Sequence, residues 1–478
     1  MSFPLPDTLQ PVLAALGAAG GRPFVVGGAV RDWLMQQAAG EASGPPPKDL
    51  DVEVYGLQPD QLEAALAGFK VDAVGRSFGV LKVTVARETF DVSLPRRDSK
   101  QAPGHRGFLV TPDAQMGFAE GALRRDFTVN AMGWDVQRAE LVDPHGGRAD
   151  LAAGVLRHVS PAFAEDPLRV LRGCQFAARF GMRFDPETLA LCRVLAPELH
   201  TLPLERLWAE WLKLLLKSRR PSIGLDALVD TGAIRLFAPL ESLLGVPQDP
   251  QWHPEGQDHP RGSLWVHSGL VLDSAVRVLD DDAVADEEER LLVLLGALCH
   301  DLGKPGTTAW ADGRWRSIGH EEAGSAPTQA LLQSMGCPQR LIPLVVPLVQ
   351  HHLKPYQLAS AGAGAAAIRR LALKVPLERL CRVARADFLG RTTPEALATA
   401  DSRRIEATTW LLAQAEALQV RTEAPRPLLQ GRHLLQRGHP HGPALGRALS
   451  QAFEAQLDGA FADLDGALAW ARDHLPPP

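Results

Sequence analysis

The sequence predicts an α+β fold: an N-terminal α/β head of about 150 residues, followed by an all-helical neck and body and a further helical domain. A short apolar run at Phe24 to Val26 and two runs with strand-like alternation, at Asp49 to Val54 and Thr89 to Leu94, fall within that head. Beyond Leu151 strand patterns nearly vanish, and long helical patterns such as Asp166 to Phe180 and Leu204 to Lys217 take over. A glycine pair, Gly27-Gly28, joins the first strand pattern to a helical one, the arrangement that leaves helix N–H groups open to a phosphate.

In chain order, Phe24, Val25 and Val26 read as a buried strand, Gly27-Gly28 as a tight turn and Ala29 to Gln37 as a helix. Ala38 to Pro47 reads as a flexible insertion. Asp49, Asp51 and Glu53 then alternate with Leu50, Val52 and Val54, which aims the acids at one face and the aliphatics at the core. Two carboxylates so spaced can hold a pair of hard cations about 4 Å apart, as in-line displacement at phosphorus requires, although a solvated acidic edge has the same pattern. Asp91 is a candidate third acid, followed closely by Arg96 and Arg97. The stretch suits a nucleoside triphosphate.

These residues, with three later segments, resemble bacterial tRNA nucleotidyltransferases, the CCA-adding enzymes of the class that includes bacterial poly(A) polymerases. Gly27 to Asp32 with Asp49 and Asp51 is similar to the family's first motif, and Arg124 to Ala131 to its second. Asp143 to Leu151, which reads as a mobile loop, is similar to the third, and Glu165 to Arg172 to the base-reading motif. The resemblance and the residue chemistry together imply Mg²⁺ on Asp49 and Asp51 with Asp91 in support. They also imply nucleotide contacts from Gly28, Arg31, Arg125, Asp126, Asn130 and Arg172. Asp166 and Arg169, three apart on one helix face, pair an acceptor with a donor. Cytosine and adenine both offer an amine beside a ring-nitrogen acceptor, so this pair can satisfy either base and leave guanine or uracil unpaired. Asp166 can equally serve as a cap ahead of Pro167.

Downstream, Cys299-His300-Asp301-Leu302-Gly303-Lys304, with His267, His320, His351-His352 and Asp387, resembles the HD phosphohydrolase superfamily. His267, His300, Asp301 and Asp387 are enough for one metal, and His320 and His352 could complete a second site; the choice of His352 over His351 stays open. Imidazole with carboxylate suits a divalent transition metal such as nickel, manganese or iron. The resemblance implies metal-dependent phosphatase and 2′,3′-cyclic phosphodiesterase activity. The competing reading is a metal-free helical body that binds tRNA.

The formal net charge of −6 argues against nonspecific coating of nucleic acid, leaving local basic patches at Arg96 to Arg106 and Lys213 to Arg220. The second also reads as the wet end of an amphipathic helix. Five cysteines without CxxC spacing read as buried thiols of a reducing compartment. No basic leader precedes an apolar run, and Leu291 to Leu295 is far too short for a membrane span, so a cytoplasmic protein is expected. The expected partners are tRNA, CTP and ATP, with no membrane and no DNA.

The expected divisions are a head at 1–150, a helical neck and body at 151–246, a linker at 247–262, an HD domain at 263–391 and a helical region at 392–478. The expected activity is template-independent CCA addition. Pro95 to Thr111 is suited to the flexible loop that the family links to A addition, so CC-only activity is disfavoured and A-only addition remains the alternative. A poly(A) polymerase and a hydrolase with a nucleotide-sensing head are weaker rivals.

Overall fold

The computed structural model describes residues 2–40, 50–75, 80–100, 108–399 and 405–476. Asp49, most of the 38–47 insertion and residues 101–107 lie outside them. Two compact units divide the chain, residues 1–210 with 223–236, and 211–222 with 237–478.

In the first unit, α1 (Gln10–Ala18) leads into β1 (Arg22–Val26), α2 (Gly28–Ala38), β2 (Asp51–Tyr55), α3 (Pro59–Ala65), β3 (Lys70–Gly75), β4 (Val80–Val85) and β5 (Glu88–Ser93). A ribbon of β6 (Arg96–Lys100) and β7 (Phe108–Pro112) follows, then α4 (Phe118–Ala122), β8 (Gly133–Asp135) and β9 (Glu140–Val142). Among the described residues one sheet has the order β3-β4-β5-β2-β1-β8-β9, with β2 and β5 parallel and the other neighbours antiparallel. The segment read as a flexible loop after β5 is therefore, at both ends, an antiparallel ribbon with Arg96 opposite Pro112.

Strand alternation gives this sheet two different faces. Val25, Val52, Val54, Val83 and Val92 pack with Val12, Leu16, Val30 and Trp33 from the helices. On the other face Phe24, Val26 and Tyr55 meet Phe118, Ala122 and Ala131, and the Phe24 ring lies 4.7 Å from that of Phe118. Truncating so buried a ring costs about 3–5 kcal/mol. Gly133 is required here because a Cβ would come 2.4 Å from the Phe118 ring.

The chain continues through α5 (Gly147–Ala153), β10 (Val155–Leu156), α6 (Leu168–Phe180), β11 (Arg183–Phe184) and α7 (Pro186–Leu195) to α8 (Leu204–Lys217) and α9 (Pro221–Thr231). The body is helical as the periodicity predicts, with the parallel pair β10 and β11 as an exception too short to show a period. The segment read as a mobile loop folds into α5, because the Asp143 carboxylate accepts the N–H groups of Gly147 and Arg148 at 2.7 and 2.9 Å.

The second unit contains α10 (Ala238–Glu241), α11 (Ser263–Asp281), α12 (Glu287–Cys299) and α13 (Lys304–Thr307). The hairpin of β12 (Thr308–Ala311) and β13 (Arg314–Ser317) comes next, then α14 (His320–Ala323), α15 (Ser325–Ser334), α16 (Ile342–His351), α17 (Lys354–Ser360), α18 (Ala365–Ala372) and α19 (Leu377–Leu389). Helix α12 is buried from Leu291 to Cys299. Residues 247–262, read as a linker, form turns within this unit and contribute buried Gln248 and Glu255. Their glycine and proline signal a turn, but burial of these two side chains comes from partners distant in sequence. After Ala407 the chain builds a small core of Leu429, Leu434, Ala452, Phe461 and Ala471. Among the described residues no helix is long and apolar enough to cross a membrane.

Candidate functional sites

The first candidate site lies at the end of β1. Gly27 has φ of 75°, a backbone conformation that glycine adopts without strain, and it turns the chain into α2. Asp51 is the register partner of Val26 on one side and of Asp91 on the other. Both carboxylates therefore stand on one face of the sheet, and Asp51 is exposed. Asp91 continues the row to Lys82, whose Nζ lies 3.3 Å away. A Cβ on Gly27 would come 3.2 Å from Arg125 Nη1 and 3.8 Å from Asp51 Oδ2, so the Arg125 guanidinium and the Asp51 carboxylate converge on the glycine turn.

Glu53 keeps the alternation but not the exposure that an acidic face implies. It shares the face of Asp51 but is fully buried, paired with Arg124 and with Arg125 at 3.4 Å, and accepts the Tyr55 hydroxyl at 2.8 Å. Burial pushes its carboxyl up, but Arg125 and Arg124 more than offset this and hold it below its ordinary value. Glu53 is thus an anchor for the arginines, not an exposed acid. Periodicity places it on the right face but carries no information about its cover.

The remaining head residues form a hydrogen-bonded chain. Arg31, 4 % exposed, donates to Asp32 at 2.8 Å and to Asn130, and its guanidinium lies 4.3 Å from the Phe180 ring. Asn130 Nδ2 donates to Asp126 Oδ1 at 2.9 Å, and Arg172 Nε donates to Asp126 Oδ2 at 2.8 Å. Burial raises the Asp126 carboxyl, but Arg172 together with the hydrogen bonds from Asn130 and the Phe127 N–H outweighs it and holds it at about 2. Arg172, raised by Asp126, also lies 3.9 Å from Glu210. A Cβ on Gly28 would come 3.4 Å from Arg31 Nη2, so this arginine borders the turn while serving the network.

Asp166 and Arg169 do not pair directly. Asp166 Oδ1 accepts the Leu168 N–H at 3.1 Å as a cap of α6, and its Oδ2 accepts from Arg206 at 2.8 Å. Arg169 donates to the carbonyls of Ala162, at 2.6 Å, and of Arg124, and burial lowers its pKa. Arg206 was not singled out by sequence, since an arginine on an amphipathic helix has no local signature of a distant carboxylate.

The second candidate site gathers residues from five segments of the second unit. His300, His320 and His352 each use Nδ1 toward a carbonyl three residues earlier, of Ala297, Ser317 and Val349, at 2.8, 2.7 and 2.7 Å. With Nδ1–H donating there, each Nε2 keeps its lone pair for another partner. These nitrogens surround Asp301, with His300 Nε2 3.2 Å from Oδ2 and His320 and His352 Nε2 3.4 and 4.0 Å from Oδ1. His267 Nε2 lies 3.2 Å from Asp387 Oδ1 and 3.8 Å from Asp301 Oδ2. Burial lowers the His352 imidazole to about 4, so it is neutral near pH 7. His351 is half-buried and does not take part in this cluster.

The donor set fits a divalent metal. Asp301 Oδ1 and His300 Nε2 are buried without a hydrogen-bond partner, and such orphaned acceptors are costly unless a cation satisfies them. The groups His267-His300-Asp301 and Asp301-His320-His352 each bring three ligand atoms within 4.8 Å of one another. Lys304 Nζ lies 2.7 Å from Asp301 Oδ2 and donates to Gln248 Oε1 at 2.7 Å, while Arg391 lies 3.2 Å from Asp387 Oδ2. Burial opposes ionisation of Asp301 and Asp387, but His300 and Lys304 at the former and Arg391 at the latter hold both well below the usual carboxylate range.

Sequence reasoning missed Glu255 and His253. Glu255 Oε1 lies 2.8 Å from His267 Nδ1 and 2.9 Å from His253 Nδ1, and its Oε2 accepts the Thr392 N–H at 3.1 Å. The histidine-glutamate spacing in the glycine- and proline-rich stretch was the available signal.

The Poly A polymerase head domain model matches residues 23–157, the probable RNA and SrmB-binding site of polymerase A matches 181–241, and the HD domain matches 264–391. These matches define a chain with a poly(A) polymerase-type head and an HD domain. It is 36% identical over 450 residues to the multifunctional CCA protein of Xanthomonas euvesicatoria, covering 91% of this chain and 98% of that protein. It is 38% identical over 442 residues to that of Stenotrophomonas maltophilia, covering 90% and 97%. The chain belongs to the multifunctional CCA protein family. Its fold is similar to that of a CCA-adding enzyme from Bacillus stearothermophilus solved in complex with CTP, with a TM-score of 0.62, 20% identity and 98% of each chain covered. A Thermotoga maritima CCA-adding enzyme complexed with tRNA gives a TM-score of 0.57 at 18% identity, covering 98% of this chain and 96% of that one.

Proposed function

We infer that the chain is a template-independent tRNA nucleotidyltransferase that adds C and A from CTP and ATP to rebuild the CCA end. The observation that carries this reading is the registered Asp51–Asp91 pair beside the Gly27 turn, with the Arg125 guanidinium over it. Asp49, Asp51 and Asp91 would hold Mg²⁺, which supplies charge neutralisation and activation of the attacking 3′-hydroxyl. The chain's own part is orientation. Gly27 and Gly28 admit the triphosphate close to the backbone, Arg125 and Arg172 offset its charge, and Asp126 with Asn130 fixes the arginines and meets the ribose. Arg31 borders that site as its structural support. Asp166 and Arg169 read the base edge, with Arg169 exchanging a carbonyl partner for the incoming nucleotide.

The second site is read as a metal-dependent phosphohydrolase acting on phosphomonoesters and 2′,3′-cyclic phosphates. His267, His300, Asp301 and Asp387, with His320 and His352, would hold a transition metal such as nickel, manganese or iron, which supplies an activated water when bound. Lys304 and Arg391 would neutralise the phosphate. Residues 1–150, 151–246, 263–391 and 392–478 form the corresponding functional divisions, with 247–262 belonging to the hydrolase, and a cytoplasmic location follows from this work on tRNA.

Gel-resolved extension of two tRNA transcripts tests the first activity, one ending at the discriminator base and one in CC, with CTP, ATP or both. Three added nucleotides on the first, requiring both triphosphates, is the expected result. Growth of the CC-ended transcript alone, by one A, would replace this reading with A-only addition.

A further inference from the structure

The HD cluster opens into a cleft of about 390 Å³ whose far wall its metal-binding residues do not supply. That wall comes from the β12–β13 hairpin and the 248–252 turn, through Trp252, Arg314, Trp315 and Arg316. We propose that this wall is a nucleotide subsite, which seats the base and adjoining phosphate of an RNA 3′ end while its terminal phosphate lies at the cluster. The proposal rests on the hydrolase reading of that cluster and adds what selects its substrate.

Three observations point to a nucleotide. The first is aromatic surface: Trp252 is 49 % exposed beside the cleft, and Trp315 is set edge-on against Trp310, their centroids 5.2 Å apart. An indole held open at the rim of a polar cleft is a stacking platform for a base, irrespective of its sequence. The second is cationic: Arg314 and Arg316 stand on one strand, tethered by Asp249 at 3.8 Å and Asp312 at 3.0 Å. The side chains of Arg316 and Arg391 line the same cleft, and each is held by a carboxylate, Asp312 and Asp387. A guanidinium fixed by one carboxylate at the wall of a cleft presents its fork of donors in a set orientation, which suits phosphate oxygens. The third is size, since the volume falls in the range of small-molecule sites and accommodates one nucleotide, not a folded surface.

The experiment uses the full chain loaded with Mn²⁺ or Ni²⁺ and compares 5′-phosphoadenosine 2′,3′-cyclic phosphate, which carries both the base and the adjoining phosphate, with glycerol 1,2-cyclic phosphate, which has neither. Wild type is expected to favour the nucleotide. Trp252→Ala and Arg316→Gln should each lower kcat/KM for the nucleotide about tenfold, mainly through KM, with a loss several times smaller on the base-free ester. Equal losses on both esters, or no loss on either, would overturn the subsite. If wild type hydrolyses neither ester, the hydrolase reading fails and the subsite is judged by calorimetric titration with adenosine 3′,5′-bisphosphate. Weaker binding in both variants then supports it, and unchanged binding overturns it.

Discussion

Asp51 and Asp91 are register partners on β2 and β5, the parallel neighbours of the head sheet, although forty positions separate them in the chain. Their carboxylates share a face beside the Gly27 turn, whereas Glu53, two residues beyond Asp51 on that face, is sealed beneath Arg124 and Arg125. The relationship separates the acids beside the turn from the one that holds the arginines.

Asp51→Asn is expected to reduce nucleotide incorporation by about 10³-fold, because a neutral amide cannot offset charge in the transition state, and Asp91→Asn by about ten- to a hundredfold as a supporting ligand. Single-turnover extension with labelled CTP measures both. Full activity in Asp51→Asn would remove the head from catalysis.

Glu53→Gln should act differently. It leaves Arg124 and Arg125 next to a neutral partner in a buried place, so we expect about 2–4 kcal/mol lost in stability together with weaker triphosphate binding. Chemical denaturation and a KM series for CTP separate it from Asp51→Asn, which should leave the unfolding midpoint nearly unchanged.

The pair Asp126–Arg172 predicts a pH dependence. The Asp126 pKa is depressed from 3.8 to about 2, so its contribution is fully present above pH 4 and is lost as pH falls through 2. Its size is about 2 kcal/mol. Asp126→Asn should therefore lower the thermal midpoint at pH 7, and the gap to wild type should close as pH approaches 2. A gap independent of pH would mean that the charge on Asp126 contributes nothing.

His351 and His352 are neighbours with opposite surroundings, and their variants should differ. His352→Ala removes an Nε2 aimed at Asp301 and is expected to lower metal content and phosphate release about tenfold or more, whereas His351→Ala keeps both. Metal analysis of purified protein reads the difference directly, and nucleotide incorporation should persist in each.

Glu255 positions His267 through Nδ1. Glu255→Gln is expected to weaken metal affinity about ten- to a hundredfold, as loss of an outer carboxylate does elsewhere, while Glu255→Asp recovers part of it. Titration of the metal-depleted chain provides the measurement, and unchanged affinity would reduce Glu255 to a partner of Thr392.

By itself the sequence determined the faces. Alternation around Val52 and Val54 put aliphatics in the core and acids opposite, Gly27 marked the turn, and the helical periods of α6 and α8 set the body, because these properties depend on neighbours within a few residues. Most residues of both candidate sites were likewise legible as types in a pattern, Arg206, His253 and Glu255 excepted. Tertiary structure decided what each was free to do. Strand register brought Asp91 beside Asp51, packing against Phe180 and Asn130 committed Arg31, and the carbonyls of Ala162 and Arg124 engaged Arg169. It also drew Glu255 and Gln248 out of an apparent linker and chose His352 over His351. Those outcomes depend on contacts between distant segments, which burial makes energetically decisive and no local period encodes.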